Sequence, residues 1–223
     1  MIPWVHLDTA RIPDGGELRL MRRGAELSIM SGSTELMNSR LSGSEKALAT
    51  LATARLQGRP KLQVLIGGLG MGFTLRTALT ELPKDAAVSV AELVPAVVAW
   101  ARGPMAELYE SCLDDPRVTI HEADVAEVIA AARARFDAIL LDVDNGPGGL
   151  NRGANDRLYS IGGLNAAKRA LKPGGVLAVW SAGRDDGFTL RLASAGYAAN
   201  EVPVRATGGK RGARHVIWLA TPR

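Results

Sequence analysis

The chain has 223 residues, with 27 Lys and Arg against 23 Asp and Glu, 47% hydrophobic side chains and one cysteine. That is the profile of a globular protein with one main domain, and it excludes the disordered, collagen-like and disulfide-rich classes. The net charge of +4 is concentrated: residues 205–214 (RATGGKRGAR) hold Arg205, Lys210, Arg211 and Arg214 and no acid. The rest of the chain is therefore neutral, and a basic surface spread over the fold is not indicated. Four Trp, three Tyr and three Phe, well scattered, do not make a base-stacking platform, so nucleic acid is not an expected partner. Cys112 has no second cysteine to pair with, and His6, His121 and His215 are dispersed, which leaves no metal spacing and fits a reducing, cytoplasmic setting. The N-terminus lacks a basic segment followed by an apolar one, and no apolar run reaches about 18 residues, so neither export nor a membrane partner is expected.

In chain order, LRLMRRG and AELSIMSG read as a small β-hairpin. A helix with Ala47, Leu48, Leu51 and Leu56 on its apolar face follows and stops at Gly58 and Pro60. From residue 61, short apolar strands alternate with helices. Strands are expected at 62–67, 88–92, 117–121, 136–142 and 175–181, and helices at 72–82, 95–110, 124–134, 156–171 and 184–195. GYAANEVPVRA and RHVIWLATP then read as an antiparallel hairpin joined by the basic loop. The alternation predicts an α/β fold with a doubly wound, mostly parallel sheet. It divides the chain into an N-terminal β-hairpin extension, 1–41, and an α/β domain, 42–223.

The strongest motif is VLIGGLGMGFTLR, a strand that leads through Gly68, Gly70 and Gly72 into a helix. Glycines permit a sharp turn and a close approach of backbone to ligand, and the helix N-terminus behind them offers free N–H groups. Glu92 ends the next strand, 20 residues after Gly72, where an acid can accept the hydroxyl protons of a ribose. Asp124 follows the third strand, and Asp142 closes the fourth. Asp124 also fits a plain N-cap. Ligands in open α/β sheets lie beyond the carboxyl ends of the strands, so Gly70, Glu92, Asp124 and Asp142 converge on one crevice.

GGLGMGFTLR, AEL at 91–93, the DPRV…EAD stretch of 115–124, FDAILLDV with its GPGG, and LYSIGGLNAAKRALKPGGVLAV together carry a likeness. The chain resembles the spermidine-synthase-like branch of the class I S-adenosylmethionine-dependent methyltransferase fold, which implies a seven-stranded Rossmann-like sheet. The resemblance places Gly68, Gly70, Met71 and Gly72 along the amino-acid or aminopropyl tail, Glu92 and Leu93 at the ribose, and Asp124 and Val125 at the adenine. It puts Asp142 beside the sulfonium. Catalytic roles fall to Asp142, Asp144 and Tyr159, and acceptor contacts to Glu45, Asp144, Tyr159 and Trp180. It also implies a homodimer.

The chain departs from the family pattern at three points. Met71 stands where spermidine synthases carry an Asp in GGGDGG, Asp142 and Asp144 are two apart rather than three, and Ser44-Glu45 replaces a His-Glu pair. An acid near the tail repels the carboxylate of intact S-adenosylmethionine, so its loss removes one discriminator against that cofactor. On this ground the sequence favours methyl transfer from S-adenosylmethionine to a small amine acceptor. The alternative is aminopropyl transfer from decarboxylated S-adenosylmethionine. A nicotinamide-dependent oxidoreductase and a non-catalytic nucleoside-binding protein are the other readings. Loop 144–157, rich in Gly and Asn, suits a lid.

Overall fold

The structure is a computed structural model that describes residues 2–13, 15–143, 146–147, 157–209 and 212–223. The N-terminal unit holds four strands rather than two: β1 (Val5–Arg11), β2 (Glu17–Arg23), β3 (Glu26–Ser31) and β4 (Thr34–Asn38). They form an antiparallel sheet in chain order. In β1 only Ala10 is buried, so the strand lacks the alternation by which a half-buried strand is read from sequence. β4 is short, and its Leu36 and Met37 are half-buried. Helix α1 (Gly43–Thr53) then crosses to the main domain.

The second sheet has seven strands in the order β10-β11-β9-β8-β5-β6-β7. They are β5 (Gln63–Gly67), β6 (Ala87–Glu92), β7 (Val118–Glu122), β8 (Phe136–Leu141), β9 (Leu171–Ser181), β10 (Tyr197–Arg205) and β11 (Arg214–Pro222). The pairings from β7 to β9 are parallel, and those of β11 with β9 and β10 are antiparallel. The connecting helices are α2 (Phe73–Glu81), α3 (Pro95–Arg102), α4 (Ala106–Tyr109), α5 (Val125–Ala131), α6 (Ile161–Ala170) and α7 (Asp186–Ser194). The single helix expected over 95–110 is broken between α3 and α4, because Pro104 disfavours the helical conformation at Gly103 and offers no N–H of its own. β9 begins at Leu171, which pairs with Phe136, and the ladder shifts register before Ala138 pairs with Val176. Pro173-Gly174-Gly175 is thus absorbed within a strand that starts earlier than its composition suggests.

Alternate residues of the central strands serve opposite faces. Val64 and Ile66 join one apolar cluster with Leu48, Leu75 and Val98, while Leu65 joins another with Ile129, Leu164 and Phe188. So α1, α2 and α3 cover one face and α5, α6 and α7 the other, which is why the strands read as continuous apolar runs. Leu20 and Ile29 of the N-terminal sheet belong to the first cluster, and the Trp100 indole donates to Asp8 at 2.7 Å. The N-terminal sheet therefore shares the main core. One charge in the interior, Asp137 at the start of β8, is met by Arg59 at 2.9 Å and Lys172 at 2.7 Å. It also accepts the Gln63 N–H at 2.8 Å, so the acid is fully engaged at the sheet end opposite the glycine loop.

Candidate active site

β5 lies between β6 and β8, so the chain's winding reverses at the β5/β8 seam, where open α/β sheets form their crevice. Both segments leaving this seam are pinned: Asp142 N–H donates to Gly67 O at 2.9 Å and Gly68 N–H to Ala91 O at 2.8 Å. Gly68 has φ +89°, and a Cβ there would lie 2.3 Å from the Asp142 carbonyl oxygen. Gly72 has φ +77°, and a Cβ would lie 2.5 Å from the Tyr109 ring. These two positions require glycine on both conformational and steric grounds.

The glycine loop is braced from both sides. The Tyr109 hydroxyl donates to Gly70 O at 2.7 Å, and Glu92, buried at the end of β6, accepts the N–H groups of Leu69 and Val94 at 2.9 Å each. Burial, reinforced by the charges of Glu92 and Cys112, pushes the Tyr109 phenol well above its ordinary value. It stays a neutral donor.

A small cavity of about 60 Å³ sits at the seam, lined by Leu36 and Met37 of β4, Glu45 of α1, residues 69–73, Asp142 and Trp180. Its volume admits only a small ligand group. Asp142 is half-buried and accepts a 2.6 Å hydrogen bond from Thr74 Oγ1. Burial first, and repulsion from Glu45 second, push its carboxyl up to about 7 against the opposing pull of Thr74. Burial also raises Glu45, opposed by its 2.8 Å hydrogen bond from Ser44. The indole Nε1 of Trp180 is buried with no hydrogen-bond partner among the described residues. Two half-buried carboxylates around one cavity form a site that a cationic hydrogen-bond donor would satisfy, while the indole N–H calls for an acceptor.

The structure brings Gly70, Met71, Gly72, Glu45, Asp142 and Trp180 to this cavity, and Gly68 and Glu92 to the loop beside it. Met71 is buried in the cavity wall. Asp124 caps α5, accepting the Ala126 N–H at 2.8 Å, and Val125 packs under Gly67. Leu93 is half-buried next to Glu92. Tyr159 is not brought to the cavity: it is buried on the other face of the sheet, edge-on to Phe188 at 5.7 Å. Its place in the wall was expected from a family position, whereas the local sequence LYS packs the ring inward beside α7. Asp144 and most of loop 144–157 lie outside the described residues.

Sequence reasoning missed Thr74, Tyr109, Leu36 and Met37. Thr74 sits in the first turn of α2, directly behind the glycine loop, and that placement was a usable signal. Tyr109 carried none, being 39 residues from the carbonyl it binds. A larger cleft of about 590 Å³ lies between α2 and the segment 109–117. Its arginines are already matched, Arg76 with Glu110 and Arg117 with Asp115, whereas the smaller cavity gathers the raised carboxyls of Glu45 and Asp142 and the Trp180 indole.

The strand order, the terminal antiparallel strands and the seam site define the class: a Rossmann-like α/β fold of the S-adenosylmethionine-dependent methyltransferase type. Residues 45–183 match the spermine/spermidine synthase domain. The chain belongs to that family. A polyamine aminopropyltransferase of Nitrosomonas europaea is 32% identical over 122 residues, 55% of this chain and 35% of that protein. Polyamine aminopropyltransferase 1 of Streptomyces coelicolor is 32% identical over 124 residues, 55% of this chain and 22% of that protein. The matched stretch thus spans about a third of the first relative's length and about a fifth of the second's. Spermidine synthase from Thermotoga maritima superposes with a TM-score of 0.76 at 20% identity, covering 98% of this chain and 73% of that one. A spermidine synthase in complex with the transition state analogue AdoDATO gives 0.75 at 19% identity, covering 98% and 72%. These likenesses establish the fold.

Proposed function

We propose that the chain transfers an aminopropyl group from decarboxylated S-adenosylmethionine to a small amine. The observation that carries this reading is the charge of the cavity: among its described lining residues the only ionisable groups are the carboxylates of Glu45 and Asp142. A cationic tail and a cationic acceptor suit such a lining, whereas the carboxylate of intact S-adenosylmethionine would enter it without a Lys or Arg partner. The names of the relatives point the same way. On this ground the aminopropyl reading takes precedence over the methyl-transfer preference drawn from Met71.

When bound, the sulfonium nucleoside supplies an electrophilic carbon and a neutral thioether leaving group. The protein's part is to bind, orient and move one proton. Glu92 and Tyr109 fix the glycine loop against which the nucleoside lies. A carboxylate can accept about four hydrogen bonds, so bracing the loop and contacting ribose hydroxyls are compatible roles for Glu92, and Asp124 stands in the same relation to its cap and an adenine amine. Glu45 holds the acceptor's positive charge. Asp142, raised to about 7, is matched to accept the ammonium proton near neutral pH and free the nitrogen lone pair. That nitrogen then forms the new bond as the C–S pair returns to sulfur. Most of the gain is positional, with reacting atoms held at roughly 3 to 3.5 Å.

Methyl transfer from intact S-adenosylmethionine remains the second reading, favoured by Met71, an uncharged thioether in the wall where the resemblance places an acid. Mass spectrometry of reactions with each nucleoside and a panel of di- and polyamines tests the choice. The expected product is an amine heavier by one aminopropyl group, formed in equal amount with the thioether nucleoside. A methylated amine from S-adenosylmethionine would overturn the reading, and so would binding of both nucleosides with turnover of neither.

A further inference from the structure

The C-terminal hairpin reaches the cavity through a path that the sequence does not advertise. His215, on β11, places Nδ1 2.9 Å from Ser44 Oγ, and that hydroxyl donates to Glu45 Oε2 at 2.8 Å. Ser44 is completely buried and His215 half-buried. The imidazole is held edge-on to Trp180 at 4.9 Å between ring centres, and Trp180 itself lines the cavity. The start of α1 is seated on the same hairpin. Gly43 N–H donates to Ala206 O at 2.8 Å, and a Cβ on Gly43 would lie 1.9 Å from Gly208 N. The root of the basic loop therefore presses directly on the turn from which Glu45 projects.

The hydrogen-bond directions follow from counting protons. A serine hydroxyl has one hydrogen, and an ionised carboxylate only accepts. With Glu45 ionised, Ser44 spends its hydrogen on Glu45 and can only accept from the imidazole, so His215 must carry its proton on Nδ1. We propose that His215 is a positioning residue for the acceptor site: by donating Nδ1–H to Ser44 it commits the Ser44 proton to Glu45 and holds that carboxylate, ionised and oriented, in the cavity beside Asp142. Replacing the imidazole with a group that cannot donate frees the Ser44 hydroxyl to rotate, and Glu45 loses its fixed orientation. The nucleoside side of the site is braced by other contacts, Tyr109 on Gly70 and Glu92 on Leu69 and Val94.

The role of His215 in acceptor binding rests on the amine-transfer reading, so the test has one arm that depends on that reading and one that does not. In the independent arm, nitrogen NMR of histidine-labelled full-length protein at pH 8 resolves the three imidazoles. The expected result is a neutral His215 protonated on Nδ1 in the wild type, with that tautomer lost in Ser44→Ala. An Nε2-protonated His215 in the wild type, or one whose tautomer is the same in both proteins, overturns the proposal whatever reaction the chain performs. In the kinetic arm, with decarboxylated S-adenosylmethionine and the best amine of the panel, His215→Phe is expected to raise the amine KM tenfold or more. The nucleoside KM should stay within twofold. His215→Asn, whose amide can donate from a similar place, should recover most of the loss. Equal weakening of both substrates, or identical behaviour of the Phe and Asn variants, marks a merely structural histidine and overturns the proposal. If the Phe variant fails to fold, the Asn variant and Ser44→Ala carry the same comparison.

Discussion

Asp142→Asn is expected to lower kcat by about 100- to 10,000-fold, the span typical for removal of a positioned general base, with nucleoside affinity little changed. Asn keeps the shape, and its amide oxygen can still accept the hydrogen bond from Thr74 that Asp142 accepts at 2.6 Å, so the fold of the seam is preserved while the proton acceptor is lost. The same substitution should change stability in the opposite sense. The Asp142 carboxyl is raised from its ordinary 3.8 to about 7 in the folded chain, so between those values the folded state binds more protons than the unfolded one. Its contribution to stability is present in full below pH of about 4 and is lost as pH rises through about 7. Glu45 is raised too, and acts with the same sign. Above pH 7 the charge in the cavity wall is thus a cost that Asn does not carry. The gain in Tm of Asp142→Asn over wild type should therefore be larger at pH 8 than at pH 4.5. Equal Tm differences at the two pH values, or a variant retaining a tenth or more of wild-type kcat, would contradict the assignment.

Gly68→Ala is the substitution with the largest expected structural effect. At φ +89° an L side chain is strained, and the added methyl would stand 2.3 Å from the Asp142 carbonyl oxygen. Neither partner in that clash is a side chain that can swing aside. The Asp142 segment is tied to β5 by its own backbone hydrogen bond to Gly67. Strain at a left-handed position and overpacking at a backbone contact together cost about 2–6 kcal/mol, against a total stability of about 5–15 kcal/mol for a domain. Gly32→Ala is the matched control, since Gly32 also has positive φ, +57°, but nothing within 4 Å of its Cβ position. That control should cost about 1 kcal/mol. Urea denaturation of the two variants separates conformational strain from the seam contact, and a Gly68→Ala loss no greater than that of Gly32→Ala would remove the argument for a tight β5/β8 seam.

The sequence displays the main sheet because its central strands are buried on both faces and so read as apolar runs bounded by Gly, Pro and charged residues. β8 reads this way despite Asp137, whose partners Arg59 and Lys172 come from distant segments. β1 stays hidden because it is an edge strand that buries only Ala10. The site divides on similar lines. Gly68, Gly72, Glu92 and Asp142 are legible because strand ends are legible, and their spacing follows from the βαβ rhythm. Tyr109 and His215 are not. Tyr109 reaches the glycine loop through a segment whose path depends on the helix break at Gly103-Pro104. His215 meets Ser44 across 171 residues only because β11 returns antiparallel between β9 and β10. The +4 charge that stands out in the composition belongs to a hairpin whose root seats α1, while the cavity it helps to shape is acidic.

The central claim is that this acidic cavity selects a nucleoside whose tail is wholly cationic. Isothermal calorimetry of the intact chain with S-adenosylmethionine and with its decarboxylated form, at pH 8 and moderate salt, measures that selection directly. The account predicts at least tenfold tighter binding of the decarboxylated nucleoside, about 1.4 kcal/mol, whereas equal binding or a preference for S-adenosylmethionine would contradict it.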